Sequence, residues 1–67
     1  MNPPRIGRVL KRFREQKGLT QLALAKRSGV AQGYISELEA GKERNPSIEI
    51  VRKLAKALGV PAGELLG

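Results

Sequence analysis

Apolar residues recur along this chain at spacings of three and four, the period of a helix that buries one face. Ile6, Val9, Leu10 and Phe13 form the first stripe, Leu24 with Ala25 the second, and Ile35 with Leu38 the third. Ile48, Val51, Leu54, Ala55 and Leu58 form the fourth. Turn-forming residues separate the stripes: Pro3-Pro4, Gly18, Gly29, residues 41–46 and residues 59–61. No alternating β-branched run long enough for a strand interrupts the series. The pattern predicts an all-α chain of five helices, at about 4–17, 21–28, 31–40, 48–58 and 61–66, folded as one domain over residues 1–67.

The residues at the helix ends agree with these boundaries. Pro4 suits a first-turn position because its missing N–H would have had no partner there. Gly18 supplies a left-handed stop. Thr20 caps the second helix, and Ser47, after Asn45-Pro46, caps the fourth. Gly63 weakens the fifth. Helices two and three are short and joined by Ser28-Gly29-Val30. Gly29 allows the chain to reverse, and Val30 plugs the angle between the helices. Two short helices crossing over such a turn make a helix-turn-helix, here about residues 20–40. The second helix of the pair then projects outward and is narrow enough for a DNA major groove.

Composition narrows the function further. Sixty-seven residues make one small domain, which buries only ~60% of the surface its unfolded chain exposes. Forty percent hydrophobic residues still suffice for a packed core. With no Cys and no His the chain has no disulfides, no thiolate metal site and no usual general base. No catalytic cluster, metal site, cofactor site or small-molecule substrate site is expected, and the chain reads as a binding module rather than an enzyme. No apolar run approaches the ~18 residues of a membrane span. The net charge is +7, and the excess lies in the first 27 residues. There Arg5, Arg8, Lys11, Arg12, Arg14, Lys17, Lys26 and Arg27 face Glu15 alone. Such asymmetry favours a polyanionic partner, although Lys and Arg are also ordinary surface-helix residues.

Leu19-Thr20-Gln21, Leu24-Ala25, Gly29-Val30, Ile35-Ser36, Glu39, Gly41-Lys42, Asn45-Pro46-Ser47 and the run from Lys53 to Val60 together resemble the lambda-repressor-like, Cro-type helix-turn-helix domain. The resemblance spans about residues 6–66. It implies a five-helix DNA-binding domain, a transcriptional regulator and most often a repressor, acting as a homodimer on a near-palindromic double-stranded operator. The setting it implies is a prokaryotic or phage cytoplasm.

The third helix is then the recognition helix. The resemblance implies that Gln32, Gly33, Ser36 and Glu37 face base edges, with Ala31 and Tyr34 beside them. Gln21 touches phosphate and braces Gln32. Thr20, Lys42, Arg44 and the main-chain N–H groups near Asn45 hold the DNA backbone. Arg14 pairs with Glu39, tying helix one to the recognition helix, and also lies near phosphate.

The chemistry suits these positions. Gln bonds bidentately to adenine, a helix N-terminus favours phosphate, and loop cations follow the backbone. Alternatives remain open at several of them. Gln21 and Gln32 are either readers or solvent-facing residues. Tyr34 either packs against helix two or reaches a phosphate or thymine methyl. Glu37 either accepts from cytosine N4 or points outward. Glu39 lies near a helix C-terminus, where the dipole disfavours an acid, so a compensating cation is expected.

Departures from the family pattern fall in the same region. Ala31 and Ala23 stand where a capping hydroxyl and a capping-box acid are usual, and Gly33 removes a base-reading side chain. Leu22 and Ile50 are apolar where polar residues are common. Leu65 and Leu66 have no obvious cover; with Ile50 or helix five they form either a dimer patch or an apolar surface that costs solubility with no partner. Two other functions fit the same sequence. One is a protein-interaction module, such as an antitoxin or polymerase-binding partner with weak DNA binding. The other is a basic nucleic-acid-binding protein without sequence preference.

Overall fold

In the computed structural model the described residues are 5–66, and they form five α-helices. These are α1 (Arg5–Gln16), α2 (Gln21–Ser28), α3 (Gln32–Ala40), α4 (Ile48–Leu58) and α5 (Ala62–Leu66). The expected first-turn role of Pro4 lies outside the described residues. The helix boundaries otherwise fall within one or two residues of the sequence pattern. Thr20 Oγ1 accepts from the Ala23 N–H at 3.0 Å, and Ser47 Oγ accepts from the Ile50 N–H at 3.2 Å, so both expected caps are formed.

The helices surround one core of Val9, Leu10, Leu24, Val30, Ile35, Leu38, Val51, Leu54, Ala55, Leu58 and Leu65. Burying each large aliphatic side chain contributes about 1.5–3 kcal/mol of hydrophobic free energy. α3 packs on α1 and α2, while α4 packs on α2 and α5, and α5 returns to α1. The α2–α3 turn depends on Gly29, whose φ of 76° is a left-handed value that side-chain-bearing residues adopt at a cost. Ser28 Oγ accepts from the Val30 N–H at 3.1 Å, and Val30 is buried between the two helices.

Two expectations about apolar positions are corrected. Ile48, placed in the α4 stripe by its spacing, is 50% exposed. It is the first residue of α4, and its Cβ leans toward the N-terminus, off the end of the core. Leu65, read as uncovered, is fully buried because α5 folds back onto α1 and α4. Only Leu66 of that pair is exposed, and Ile50 packs partly against the core, which shrinks the suggested dimer patch. Leu22 is exposed as a single apolar residue.

α3 begins at Gln32 after Ala31, whose extended ψ of 138° is that of a cap but whose side chain makes no capping bond. Ala31→Ser therefore supplies a missing acceptor, and we expect a gain of about 1 kcal/mol in thermal unfolding. An unchanged melting temperature would show that the first turn of α3 is already satisfied by water.

Candidate nucleic-acid interface

The 3.6-residue period that turns Ile35, Leu38 and Glu39 inward turns Gln32, Gly33, Ser36 and Glu37 outward, and all four are exposed. Ala31 is exposed at the start of this row. Nothing lies within 4 Å of where a Gly33 side chain would begin, so the row has a notch there. Tyr34 is half-buried and packs against the core, beside the exposed row. Burial first, then the charges of Glu43 and Glu37, raises its phenol above the ordinary tyrosine range and keeps it neutral.

A network of polar side chains fixes α3 in place. Arg14 Nε donates to Glu39 Oε2 at 2.7 Å, and its Nη2 donates to Glu39 Oε1 at 2.9 Å. This is the bidentate fork that makes Arg–carboxylate pairs directional. The same guanidinium donates through Nη1 to the Leu19 carbonyl oxygen at 2.7 Å. With its side chain 11% exposed and three of its five N–H groups bonded within the protein, Arg14 ties α1 to α3 and to the Leu19 carbonyl. The Glu39 side chain is 5% exposed. The hydrogen bond donated to Glu39 holds the Arg14 pKa above its ordinary range, against the opposing effect of burial.

Gln21 completes the network in a way the sequence did not indicate. Its Nε2 donates to Glu39 Oε1 at 3.0 Å. The amide expected to brace Gln32 donates one of its N–H groups to Glu39, which lies in the third helix at a sequence separation of 18. The N-terminus of α2 nevertheless stays open to solvent. Thr20 is exposed, its hydroxyl hydrogen is left to donate, and the Gln21 and Leu22 N–H groups precede both the Thr20 cap at Ala23 and the first intrahelical bond at Leu24.

The Asn45 N–H, expected to face a DNA phosphate, donates to Glu43 Oε1 at 3.0 Å. Lys42 and Arg44 are both exposed, and Lys42 is anchored by its own N–H bonded to the Glu37 carbonyl at 2.9 Å. Among the described residues no group of His, Cys, Asp and Glu could hold a metal ion.

This all-α arrangement, with an exposed polar helix row held by a buried ion pair, defines the class as a helix-turn-helix domain. The chain belongs to the lambda-repressor- and Cro-like helix-turn-helix family, whose profile matches residues 10–65. It is 46% identical over 61 residues to y4dJ of Sinorhizobium fredii, an uncharacterised HTH-type transcriptional regulator, covering 91% of this chain and 78% of that one. It is 38% identical over 61 residues to the HTH-type transcriptional regulator SinR of Bacillus subtilis, covering 91% of this chain but only 55% of SinR. The crystal structure of SinR, a master regulator for biofilm formation, in complex with DNA superposes with a TM-score of 0.90 at 37% identity, covering 92% of this chain and 98% of that one. The restriction-modification controller protein C.AhdI from Aeromonas hydrophila superposes with a TM-score of 0.85 at 39% identity, covering 91% of each chain. No helix of the described residues is long and apolar enough to cross a membrane.

Proposed function

We propose that this chain is a sequence-specific double-stranded-DNA-binding transcriptional regulator, a repressor that binds a near-palindromic operator as a homodimer. α3 enters the major groove, where Gln32 reads adenine, Ser36 contacts a neighbouring base edge and Glu37 accepts from cytosine N4. Ala31 and the Gly33 notch bring the backbone close to the base pairs. Thr20, the first turn of α2, Lys42 and Arg44 contact phosphates and set the register. Glu43 gives up the Asn45 N–H when a phosphate takes its place.

The observation that carries this reading is the exposed row Gln32–Gly33–Ser36–Glu37 on a helix fixed by the buried Glu39 carboxylate. The similarity to SinR, whose solved structure is a complex with DNA, supports it.

Selection from a random duplex library at about 150 mM salt tests the proposal. A palindromic sequence bound ~10³-fold or more above scrambled DNA is the expected result. Salt-sensitive binding without an enriched sequence would move the chain to the class of non-specific basic proteins. Very weak binding to any duplex would favour a protein-interaction module.

Gln32 supplies a finer test. Gln32→Ala is expected to weaken operator binding by about 1–3 kcal/mol, with the loss confined to one base pair. Titrating operators substituted singly at each position reads this directly. A uniform loss at all positions would assign Gln32 to the DNA backbone.

A further inference from the structure

A second cationic feature lies outside the residues assigned above. Between the C-terminal half of α2 and the outer face of α4 is a cleft of about 470 Å³ lined by Arg27, Ser28, Lys53, Lys56 and Ala57. Arg27, Lys53 and Lys56 are all exposed, and no carboxylate is among the lining residues. Ser28 Oγ already accepts from the Val30 N–H, so its hydroxyl hydrogen is left to donate into the cleft. The cleft therefore offers a guanidinium, two ammonium groups and a hydroxyl as donors, with no other acceptor side chain in its lining. Lys53 has a 3.6 Å ion pair with Glu49 one turn earlier, but both side chains are at least half exposed, so the pair is easily exchanged.

Helix dipoles explain part of this pattern. Arg27 and Lys56 lie in the last turns of α2 and α4, where cations offset the negative helix ends. That accounts for Arg27 and Lys56. It does not account for Lys53, or for the three converging from two helices on one concave site.

From this convergence we infer that the α2–α4 cleft binds a DNA phosphodiester on the strand across the major groove from the one held at the N-terminus of α2. This inference rests on the DNA-binding function proposed above. α2 has eight residues, so its two ends are about 12 Å apart. The major groove of B-DNA is also about 12 Å wide. When Thr20 and the first turn of α2 rest on one backbone, the far end of the helix reaches toward the other. Ser28 also leads directly through Gly29 and Val30 into α3, so a phosphate held there fixes the entry point of the recognition helix. α2 then acts as a strut between two strands, with α3 beneath it.

The test compares two variants of equal net charge on the selected operator, each titrated across salt concentrations. The cleft variant carries Arg27→Gln, Lys53→Gln and Lys56→Gln. The control carries Arg8→Gln, Arg12→Gln and Lys17→Gln, all exposed positions in or just after α1. The cleft variant is expected to lose affinity several-fold for every sequence and to reduce the salt-dependence slope by about 1 relative to the control. Equal behaviour of the two variants, with wild-type binding intact, would overturn the cleft inference alone. Failure of the wild-type chain to bind any duplex would overturn the DNA-binding reading and the inference with it. Chemical-shift mapping of the Arg27 and Ser28 amides separates the two sources of phosphate. Shifts on adding operator duplex are expected, whereas shifts with inorganic phosphate but not with the duplex would assign the cleft to a free anion and overturn the proposal.

Discussion

Gly7→Ala is expected to destabilise the domain by about 3 kcal/mol, which for a chain of this size is a fall of roughly 12–24 °C in melting temperature. Gly7 is buried in α1, and a Cβ built there runs into the Leu38 carbonyl oxygen of α3. It also comes within 3.1 Å of the Leu38 carbonyl carbon and 3.4 Å of the Glu39 Cα. All three are backbone atoms, so no change of rotamer relieves the collision, and the two helices must move apart. Gly7, Leu10 and Arg14 lie on one face of α1 at i, i+3 and i+7. Separating that face from α3 loosens the fully buried Leu10 and pulls Arg14 away from Glu39.

Intrinsic helix propensity predicts the opposite sign, because alanine is favoured over glycine by up to about 1 kcal/mol in a helix. Gly33→Ala isolates that opposing effect. Gly33 is helical and exposed with nothing within 4 Å, so the substitution there is expected to stabilise by up to about 1 kcal/mol. Urea or thermal unfolding of both variants checks the pair. Equal, stabilising effects at the two positions would refute the close approach of α1 and α3.

Gly7 also shows which part of this fold is written locally. The stripes, the caps at Thr20 and Ser47 and the reversal at Gly29 rest on near neighbours, so periodicity and residue type locate them. Gly7 reads in sequence as one more glycine in a basic helix, and its role depends on the path of α3, more than thirty residues away. Leu65 is similar, because only the return of α5 onto α1 and α4 covers it. The exposed row on α3 is legible as the complement of Ile35 and Leu38. The partner of the Gln21 amide is not, since it depends on where the tertiary fold brings Glu39. At Asn45 the resemblance indicated phosphate-facing donors, while a carboxylate two residues away satisfies the N–H.

Glu39→Ala is expected to cost about 3–5 kcal/mol of stability, because it leaves Arg14 charged and nearly buried without its carboxylate partner. Three groups lose their anchor at once: the Arg14 fork, the Gln21 amide and, through Arg14, the Leu19 carbonyl. Arg14 is the cationic partner, and its pKa is raised, first by the Glu39 hydrogen bond. A raised pKa on a cation contributes stability at every pH below the ordinary arginine range, and that contribution disappears only in strong alkali. Arginine titration therefore cannot weaken the tie near neutral pH, and mutation is the means of testing it.

The double variant Arg14→Met with Glu39→Met removes both charges and keeps apolar volume, so it should recover most of the loss. It should remain about 1 kcal/mol below wild type, because the Leu19 carbonyl loses its donor. A double variant as unstable as the sum of its single substitutions would show that the two side chains act independently. Operator affinity provides the second measurement. The tie lies behind α3 rather than on its exposed face, so Glu39→Ala should reduce thermal stability more than affinity at temperatures where the variant stays folded. A larger loss of affinity than of stability would instead place the Glu39–Gln21 bond within the DNA contact itself.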